Sequence, residues 1–506
     1  MEQLHANERI LRHTGGTFSQ ALIEGEVSLP VGKPEMSRVV LVCGRAETGS
    51  VESLDGRAMT DGTLTLCVCY LDEEERMHAF ESVSTFKHTA DVPGAQAGMR
   101  GRAQAYVSSI QTKMTDSRRL NVTAVIELLF EVKDEVDLSY CHPENSDPLV
   151  AKSDTLSLEM RCARASTAAE IKGEAVPPQG QPELGQVLFC QGEAVIQNAF
   201  AEEDVLCAEG ELKLCITYES PDEQIPIGQF FAEIPFSEML SAPGANPGQR
   251  VQASAKVKDL FARPDEQGES FVVEAVCALE VEAEETKELP VLVDAYAVGQ
   301  DVELNRQEVE MCSCMLVQRG TTVQREAISM LEAPPLGRVL ATFAMPSCVR
   351  STAQDDGIVM ECVLSCAIVY LDRENVLQTF ETKWPLRVEE ELTGMQQDMS
   401  AQSRLWVQQV QAVPSADGVD LRALLGFEVC GYVHKRMKLV QDVHLEQMQQ
   451  APISGIVVYF ASAGDTMWDV AKRYRVRMED LLRYNPDAQE QLEAGQKLIL
   501  LCRKAG

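Results

Sequence analysis

A repeat with a period of about 150 residues is the feature that most restricts how this chain of 506 residues can fold. The same residue types recur in register at Phe80, Phe230 and Phe380, at Gly94, Gly244 and Gly394, at Val107, Val257 and Val407, and at Tyr70, Tyr218 and Tyr370. Recurrence at a fixed spacing indicates several copies of one folding unit. We therefore predict three repeats, over residues 1–150, 151–300 and 301–450, followed by a separate C-terminal segment over residues 456–503.

Each copy shows the alternation of apolar and polar residues that is typical of strands. In the first copy, Leu64, Leu66 and Val68 alternate with smaller or more polar residues, which is a period of two. Turn-forming proline–glycine pairs at residues 93–94 and 243–244 separate such runs. The pattern predicts antiparallel strands that bury one face.

The predicted fold is mainly β, with three repeated sandwich-like or barrel-like units that contain a few short helices. A unit of this length can bury a core of its own. Acidic and less regular stretches near residues 133–155 and 283–300 are predicted to join the units.

The chain is strongly acidic, with a formal net charge of −33. The segment from Tyr459 onward carries about +1, because its 8 lysines and arginines nearly balance 7 acidic residues, so the repeats carry almost all of the negative charge. Such a surface repels phosphate backbones, which argues against nucleic-acid binding, and it repels anionic lipids. We interpret most of the charge as a solubility feature, and the contrast as a sign that the C-terminal segment has a different partner surface.

Cysteines are numerous but do not form a metal-binding pattern. The chain has 16 of them and no C-x-x-C pair. Zinc sites usually combine two such pairs or paired histidines, so we predict no metal and no cofactor. We interpret the cysteines, including Cys67 and Cys69 on one predicted strand, as buried reduced thiols that pack as small apolar residues. A reducing compartment agrees with this interpretation.

No arrangement of residues predicts catalysis. The 7 histidines form no H-E-x-x-H helix and no pair with a cysteine nucleophile, and the chain has neither a G-x-S-x-G elbow nor a P-loop. Ser84 and Lys87 match S-x-x-K, but the other two copies lack this pair. A repeated scaffold usually presents surfaces rather than one active site, so we predict a protein that is not an enzyme.

The C-terminal segment departs from the alternating pattern and predicts a small α+β domain. A turn at Gly464 precedes a helix whose first turn Asp465 or Thr466 can cap. A second helix ends at Asn485, because Pro486 disfavours a helical residue before it. Apolar runs before the first helix and after the second predict two strands, which gives the order βααβ.

This segment resembles a LysM domain, a small βααβ module best known for binding N-acetylglucosamine polymers such as peptidoglycan. The resemblance rests on G-D-T-x-W, a tyrosine at the end of the first helix, an asparagine stop and a closing G-Q-K-L-I-L, in that order. It implies a binding groove between the loop after the first strand and the loop after the second helix. The residues carried over to that groove are Gly464, Asp465, Thr466, Asn485 and Pro486. We predict that Trp468, Tyr474 and Leu482 form the core of the module.

The N-terminal residues lack the features of a secretory signal. Residues 1–25 are polar, with no apolar core and no small-residue cleavage site. No run in the chain approaches the roughly 20 apolar residues of a membrane span. We therefore expect a cytoplasmic protein, for which a wall-binding module needs an explanation.

The chain as a whole resembles the SPOCS-domain, LysM-containing spore coat morphogenetic proteins of spore-forming clostridial bacteria. This resemblance rests on the layout of the repeats, the Tyr-Leu-Asp strand ends at Tyr70 and Tyr370, and the LysM segment; the second copy departs at residues 218–220. It implies a location in the mother-cell cytoplasm at the forespore surface, where the spore coat is assembled without secretion. It also implies that the LysM module binds SpoIVA, the ATPase of the coat basement layer, while the acidic repeats recruit or space other coat proteins.

Two other hypotheses remain beside this one. On the scaffold hypothesis, the exposed binding residues of the module are Asp465, Thr466, Arg475, Arg477 and Asn485. The first alternative is a protein of the cell wall or spore cortex whose module binds peptidoglycan or other N-acetylglucosamine polymers after export or lysis. The second is an exported protein with adhesin-like acidic repeats. The missing signal favours a protein partner, and the sequence leaves open which face of the module is used.

Overall fold

The computed structural model describes residues 5–143, 148–222, 224–446 and 455–502. The first repeat contains β1 (His5–Ser28), β2 (Arg38–Leu54), β3 (Arg57–Leu71), β4 (Met77–Asp91), β5 (Arg100–Asp116) and β6 (Arg119–Cys141). The second contains β7 (Leu149–Ala175), β8 (Val187–Glu202), β9 (Val205–Glu219), β10 (Ile227–Ser241), β11 (Arg250–Pro264) and β12 (Phe271–Ala297). The third contains β13 (Asp301–Ser329), β14 (Leu336–Pro346), β15 (Arg350–Gln354), β16 (Gly357–Asp372), β17 (Leu377–Glu391), β18 (Ser400–Pro414) and β19 (Gly418–Glu446). In the third repeat, β14 and β15 together replace the single second strand of the other two.

Each repeat is a β-sandwich of two antiparallel layers. The long first and last strands pair with each other and the fifth strand lies beside the last, giving β1-β6-β5, β7-β12-β11 and β13-β19-β18. The remaining strands form the other layer, and in the first repeat the two layers join where Val51 pairs with Gly101. The prediction of three mainly β, sandwich-like units is therefore confirmed. The expected short helices do not occur in the described part of the repeats, because the period-two pattern runs through almost every segment.

The recurring tyrosines form a hydrogen bond with the same loop in every repeat. Each ring is fully buried, and each hydroxyl donates to a proline carbonyl in the loop that enters the second strand. The three bonds are Tyr70 to Pro34 at 2.9 Å, Tyr218 to Pro182 at 3.0 Å, and Tyr370 to Pro334 at 3.0 Å. Because the buried hydroxyl finds a partner, one side chain fills the core and also fixes the loop.

A β-bulge recurs at the same place in the fifth strand of each unit. The register shifts after Val107, Val257 and Val407, which leaves Ser108, Lys258 and Gln408 outside the ladder. A bulged residue is free to pair elsewhere. The Lys258 carbonyl accepts a hydrogen bond from Arg45 at 3.1 Å, and the Ser108 carbonyl accepts one from Ser365 at 3.1 Å. Two of the three bulges therefore bond to a neighbouring repeat.

The three repeats contact one another in a closed ring. The fourth strand of each repeat meets the second strand of the next, so that β4 faces β8, β10 faces β14 and β17 faces β2. Hydrogen bonds cross all three seams: from the Cys67 thiol to the Leu188 carbonyl at 3.5 Å, from the Gln229 amide to the Thr342 carbonyl at 3.1 Å, and from the Thr379 hydroxyl to the Val40 carbonyl at 2.7 Å. A buried apolar cluster with members from all three repeats fills the centre.

The free ends of the long strands form three ribbons that share a second core. This core buries Tyr140 from the first repeat, Val291 from the second and Leu439 from the third. The stretches 133–155 and 283–300, predicted as irregular joints, are therefore mostly regular strand in the described residues. The acidic residues of these two stretches lie between apolar ones, so the strands carry acidic side chains on an outer face and bury apolar ones on the inner face.

The C-terminal module has the order β20 (Gly455–Phe460), α1 (Met467–Tyr474), α2 (Met478–Tyr484) and β21 (Lys497–Cys502), as the sequence predicted. Thr466 is the N-cap of α1 and forms a capping box with Asp469. Arg475 ends this helix in the left-handed conformation. No helix among the described residues is both long and apolar enough to cross a membrane.

Candidate binding site in the C-terminal module

The module is docked on the end of strand β12 through one carboxylate. Asp294 accepts hydrogen bonds from the Trp468 indole at 2.8 Å and from the Lys472 ammonium at 2.6 Å, and both donors lie on α1. Arg306 of β13 pairs with the same carboxylate at 2.7 Å. Burial alone would raise the pKa of Asp294, but the bonds from Lys472 and Trp468 outweigh it and hold this pKa below its ordinary value. The carboxylate is therefore kept ionised at the centre of the contact.

Tyr296, two residues along the same strand, supplies the apolar part of the contact. Its ring packs edge-on against Trp468 with centroids 5.1 Å apart, and its hydroxyl donates to the Val476 carbonyl at 2.7 Å. The side chain is only 3% exposed and belongs to the core of the module. Burial also raises the pKa of the Tyr296 hydroxyl. The module thus shares its core with the second repeat.

Two further cationic contacts surround this centre. Arg475, which the sequence suggested as a partner-binding residue, forms an ion pair with Asp301 at the start of β13. Lys152 of β7 lies over the Trp468 ring, 5.7 Å from its centroid. The helix end around Arg475 thus contacts the third repeat, and its half-buried guanidinium is paired within the chain.

The first predicted binding loop is held by its own side chains. Gly464 has a φ of +91°, which glycine adopts without strain. The Asp465 carboxylate accepts hydrogen bonds from the Tyr459 hydroxyl and, at 2.8 Å, from the Ser462 N–H. The bond from Tyr459 is the main cause of a lowered pKa at Asp465. Thr466 is engaged in the capping box, so the polar groups of this loop already have partners.

The second predicted loop is anchored in the same way. The Asn485 amide donates to the Leu481 and Ile499 carbonyls at 2.8 Å, and its oxygen accepts from the Ile499 N–H at 2.8 Å. Pro486 follows on the surface. The first loop, by contrast, bonds through its backbone to residues 490–492. The five predicted groove residues thus belong to two separately anchored loops.

Helix α2 has a polar start and an apolar exposed end. Arg477 is its exposed N-cap residue, and Leu482 and Tyr484 are 45% and 40% exposed. Leu482 was predicted as core, but Leu481 occupies that position and is 1% exposed, because a one-residue step on a helix turns the side chain by about 100°. Trp468 is buried as predicted, whereas Tyr474 is partly buried and packs against the ring of Tyr459.

The docking residues on the repeats are what sequence reasoning missed. Asp294 and Tyr296 lie in a strand that the sequence suggested was an irregular joint. One signal was available, because the third copy carries Asp442 and His444 at the corresponding positions, so that the tyrosine is particular to the second copy. A residue that differs from its counterparts in the other repeats, at the end of a strand, indicates a contact made by that repeat alone and not part of the core that all three repeats share.

Metal-binding arrangements are not seen in the described residues. No group of three or more histidine, cysteine, aspartate or glutamate side chains is placed there to hold a metal ion. The described cysteines are all free thiols, and burial raises the pKa of several of them, for example that of Cys366 to about 12. Such thiols pack as apolar groups and are poor nucleophiles.

Comparison with known families matches two kinds of domain. The model described as "SipL, SPOCS domain" matches residues 35–115 and 183–264, which span strands β2 to β5 of the first repeat and β8 to β11 of the second. The LysM domain model matches residues 462–500. No curated protein and no solved structure matches the chain. The chain is therefore a SPOCS-domain and LysM-domain protein that resembles SipL.

Proposed function

We propose that this chain is a non-enzymatic spore coat scaffold whose LysM module binds the coat basement-layer ATPase SpoIVA. The acidic repeats recruit or space other coat proteins, and the protein acts in the mother-cell cytoplasm at the forespore surface. The combination of SPOCS and LysM domains supports a role in sporulation. The docked module is the observation that best supports a scaffold, because Asp294 and Tyr296 attach the module directly to the ring of repeats.

The anchored loops support a protein partner rather than a sugar. Sugar recognition relies on polar groups that are free to bond the ligand. In this module the side chains of Asp465, Thr466 and Asn485 form hydrogen bonds with other residues of the module. Helix α2 exposes Arg477 at its start and apolar Leu482 and Tyr484 at its end. Arginine and tyrosine are enriched at protein interfaces.

A binding measurement with the full chain tests this proposal. Substituting Arg477→Ala should weaken binding to purified SpoIVA about tenfold, equivalent to about 1.4 kcal/mol, because an exposed guanidinium at an interface is lost. The matched control is Arg325→Ala, an exposed arginine on β13 far from the module. Titration calorimetry with both variants gives the affinities.

The outcome that contradicts the proposal is also defined. If the wild-type chain does not bind SpoIVA, or binds it equally after deletion of residues 455–506, the module is not the ATPase-binding element. Circular dichroism of the deletion variant shows that the β-rich repeats are intact, so that a negative result is not due to unfolding.

Glycan binding is the second candidate, and one observation favours it. Tyr484 is 40% exposed directly before the Asn485–Pro486 loop, where an aromatic ring can stack on a sugar. The same experiment includes N-acetylglucosamine oligomers and spore peptidoglycan as ligands. Glycan binding that is lost in Tyr484→Ala, without any binding to SpoIVA, would assign the chain to the wall-binding class.

A further inference from the structure

The two-stranded sheet of the module has one covered edge and one open edge. Asn485 covers the edge of β21, because its side chain takes both the N–H and the carbonyl of Ile499. Strand β20 pairs only with β21 within the described part of the chain, and its other edge makes no backbone hydrogen bond there. Its sequence, Gly-Ile-Val-Val-Tyr-Phe, has no charge, no proline and no bulge. Those are the devices that normally stop an exposed edge from pairing.

The alternation of hydrogen bonds shows which groups of β20 point to the open edge. Ile499 directs its N–H and carbonyl away from β20, and its cross-strand partner is Val458. Opposite residues in an antiparallel pair share the same hydrogen-bonding state, so Val458 directs its own N–H and carbonyl away from β21. Ile456 and Phe460, two positions to either side, do the same. The open edge therefore presents donors and acceptors at the spacing of a strand ladder.

The same three residues carry an exposed apolar row. The exposed fractions are 74% for Ile456, 45% for Val458 and 64% for Phe460, and Ile499 at 41% extends the row onto β21. The module docks on the repeats mainly through α1, which leaves this face of the sheet uncovered. A contiguous exposed apolar patch of this kind marks an interaction surface.

We infer that β20 pairs in antiparallel orientation with β20 of a second copy of this chain, centred on Val458. In this register Val458 meets the partner's Val458 and Ile456 meets the partner's Phe460. Every such pair is apolar, and each hydrogen-bonded pair exchanges two bonds. A contact between identical edges is isologous and closes after two copies, so the product is a dimer with one continuous four-stranded sheet.

The charge distribution confines a contact between two copies to the modules. The repeats hold almost all of the net charge of −33, whereas the segment from Tyr459 onward carries about +1. Two such chains repel each other except where their modules meet. β20 itself contains no charged residue, so no like charges face each other across the two-fold axis.

The mass of the full chain in solution tests this inference. Sedimentation or light scattering should give the mass of two chains for the wild type. Val458→Lys places two ammonium groups opposite each other at the axis and should give the mass of one chain. Val323→Lys is the matched control, because Val323 lies on a strand of the third repeat and is 43% exposed, close to the 45% of Val458. This control should remain a dimer.

Hydrogen exchange supplies a readout that does not depend on a lysine in the module. Exchange of the peptide covering residues 455–460 should slow as the protein concentration rises. Val458→Pro removes the N–H that points to the open edge and no hydrogen bond of the β20–β21 ladder. It should abolish this concentration dependence while the rest of the module stays protected. A wild type that is monomeric at all concentrations, or a dimer that survives both substitutions, would overturn the inference. So would protection of β20 that appears only when SpoIVA is added, because it assigns the edge to a foreign strand.

Discussion

Asp294 accepts hydrogen bonds from Arg306, Trp468 and Lys472 at the point where the repeats meet the module. Asp294→Ala leaves Trp468 and Lys472 without their partner, which should weaken docking by about 1–3 kcal/mol, since bonds to charged groups contribute that much. Hydrogen exchange of peptides from α1 should be faster in this variant. Asp420→Ala removes an exposed carboxylate on β19 and should leave that exchange unchanged.

The lowered pKa of Asp294 makes docking dependent on pH. Because the pKa of the folded state lies below the ordinary value of about 3.9, the docking contribution is complete above that value. It is lost as the pH falls through the lowered pKa of the folded state. Acid titration should therefore show release of the module below about pH 4, followed as the part of the tryptophan emission that is missing in Trp468→Phe, because Trp384 and Trp406 also emit. Asp294→Asn should lack this step. Release at neutral pH would mean that another group controls docking.

Single residues were predictable from the sequence where their role is local. The Thr466 cap and the stop at Asn485 follow from neighbouring residues alone, and both are present. Trp468 was predictable as a core residue, but its bond to Asp294 was not, because 174 positions separate the two in the chain. The sequence did not show which of Leu481 and Leu482 is buried. Both are leucines in a helix of 7 residues, which is too short for periodicity to define its apolar face.

In the layer that contains the second, third and fourth strands of each repeat, facing residues of neighbouring strands are complementary in size. Phe236 of β10 lies opposite Gly210 of β9, and a Cβ at Gly210 would come within 2.7 Å of the Phe236 ring. Phe86 and Gly62 form the same pair in the first repeat. The third repeat has Cys362 opposite Leu386, so that a larger residue on one strand accompanies a smaller one on the other.

Gly210→Ala tests this relation and should destabilise the second repeat by about 1–3 kcal/mol, the usual cost of overpacking. Adding Phe236→Leu should recover only part of that loss, because the new Cβ also meets the Val195 carbonyl. The third repeat avoids this clash, since its second strand is broken between β14 and β15 at that point. Thermal unfolding gives the stability of the single and the double variant. Gly25→Ala is the control, because a Cβ at Gly25 would have no atom within 4 Å. Full recovery in the double variant would show that only the ring matters.

Strands were predictable as elements, but their ends were not. Alternation identified β3 and its copies because their polar positions are small and their apolar ones large. In the ribbons, Val136, Leu138 and Tyr140 alternate with acidic and polar residues in the same way. High acidity suggested a linker there, because a strand exposed on its outer face has the composition of a surface segment. The partner that buries the inner face belongs to other repeats, which no local pattern shows.

The whole molecule should unfold as one unit, because two cores are shared by all three repeats. The fragment 149–297, a single repeat, exposes its share of both cores and should melt at a lower temperature and bind a dye for apolar surface. The fragment 1–446 retains the ring and should melt in a single transition. Calorimetry of both fragments checks this expectation, and a single repeat as stable as the ring would contradict it.

A ring made from one chain differs from a ring of three identical subunits in the number of modules that it presents. Only the second repeat carries both Asp294 and Tyr296, so one of three similar strand ends receives the module. Three identical subunits would each bring a docking end and a module, and the ring would be trivalent. Fusion of the copies lets one diverge without the others, and the valency of each ring is thereby fixed at one.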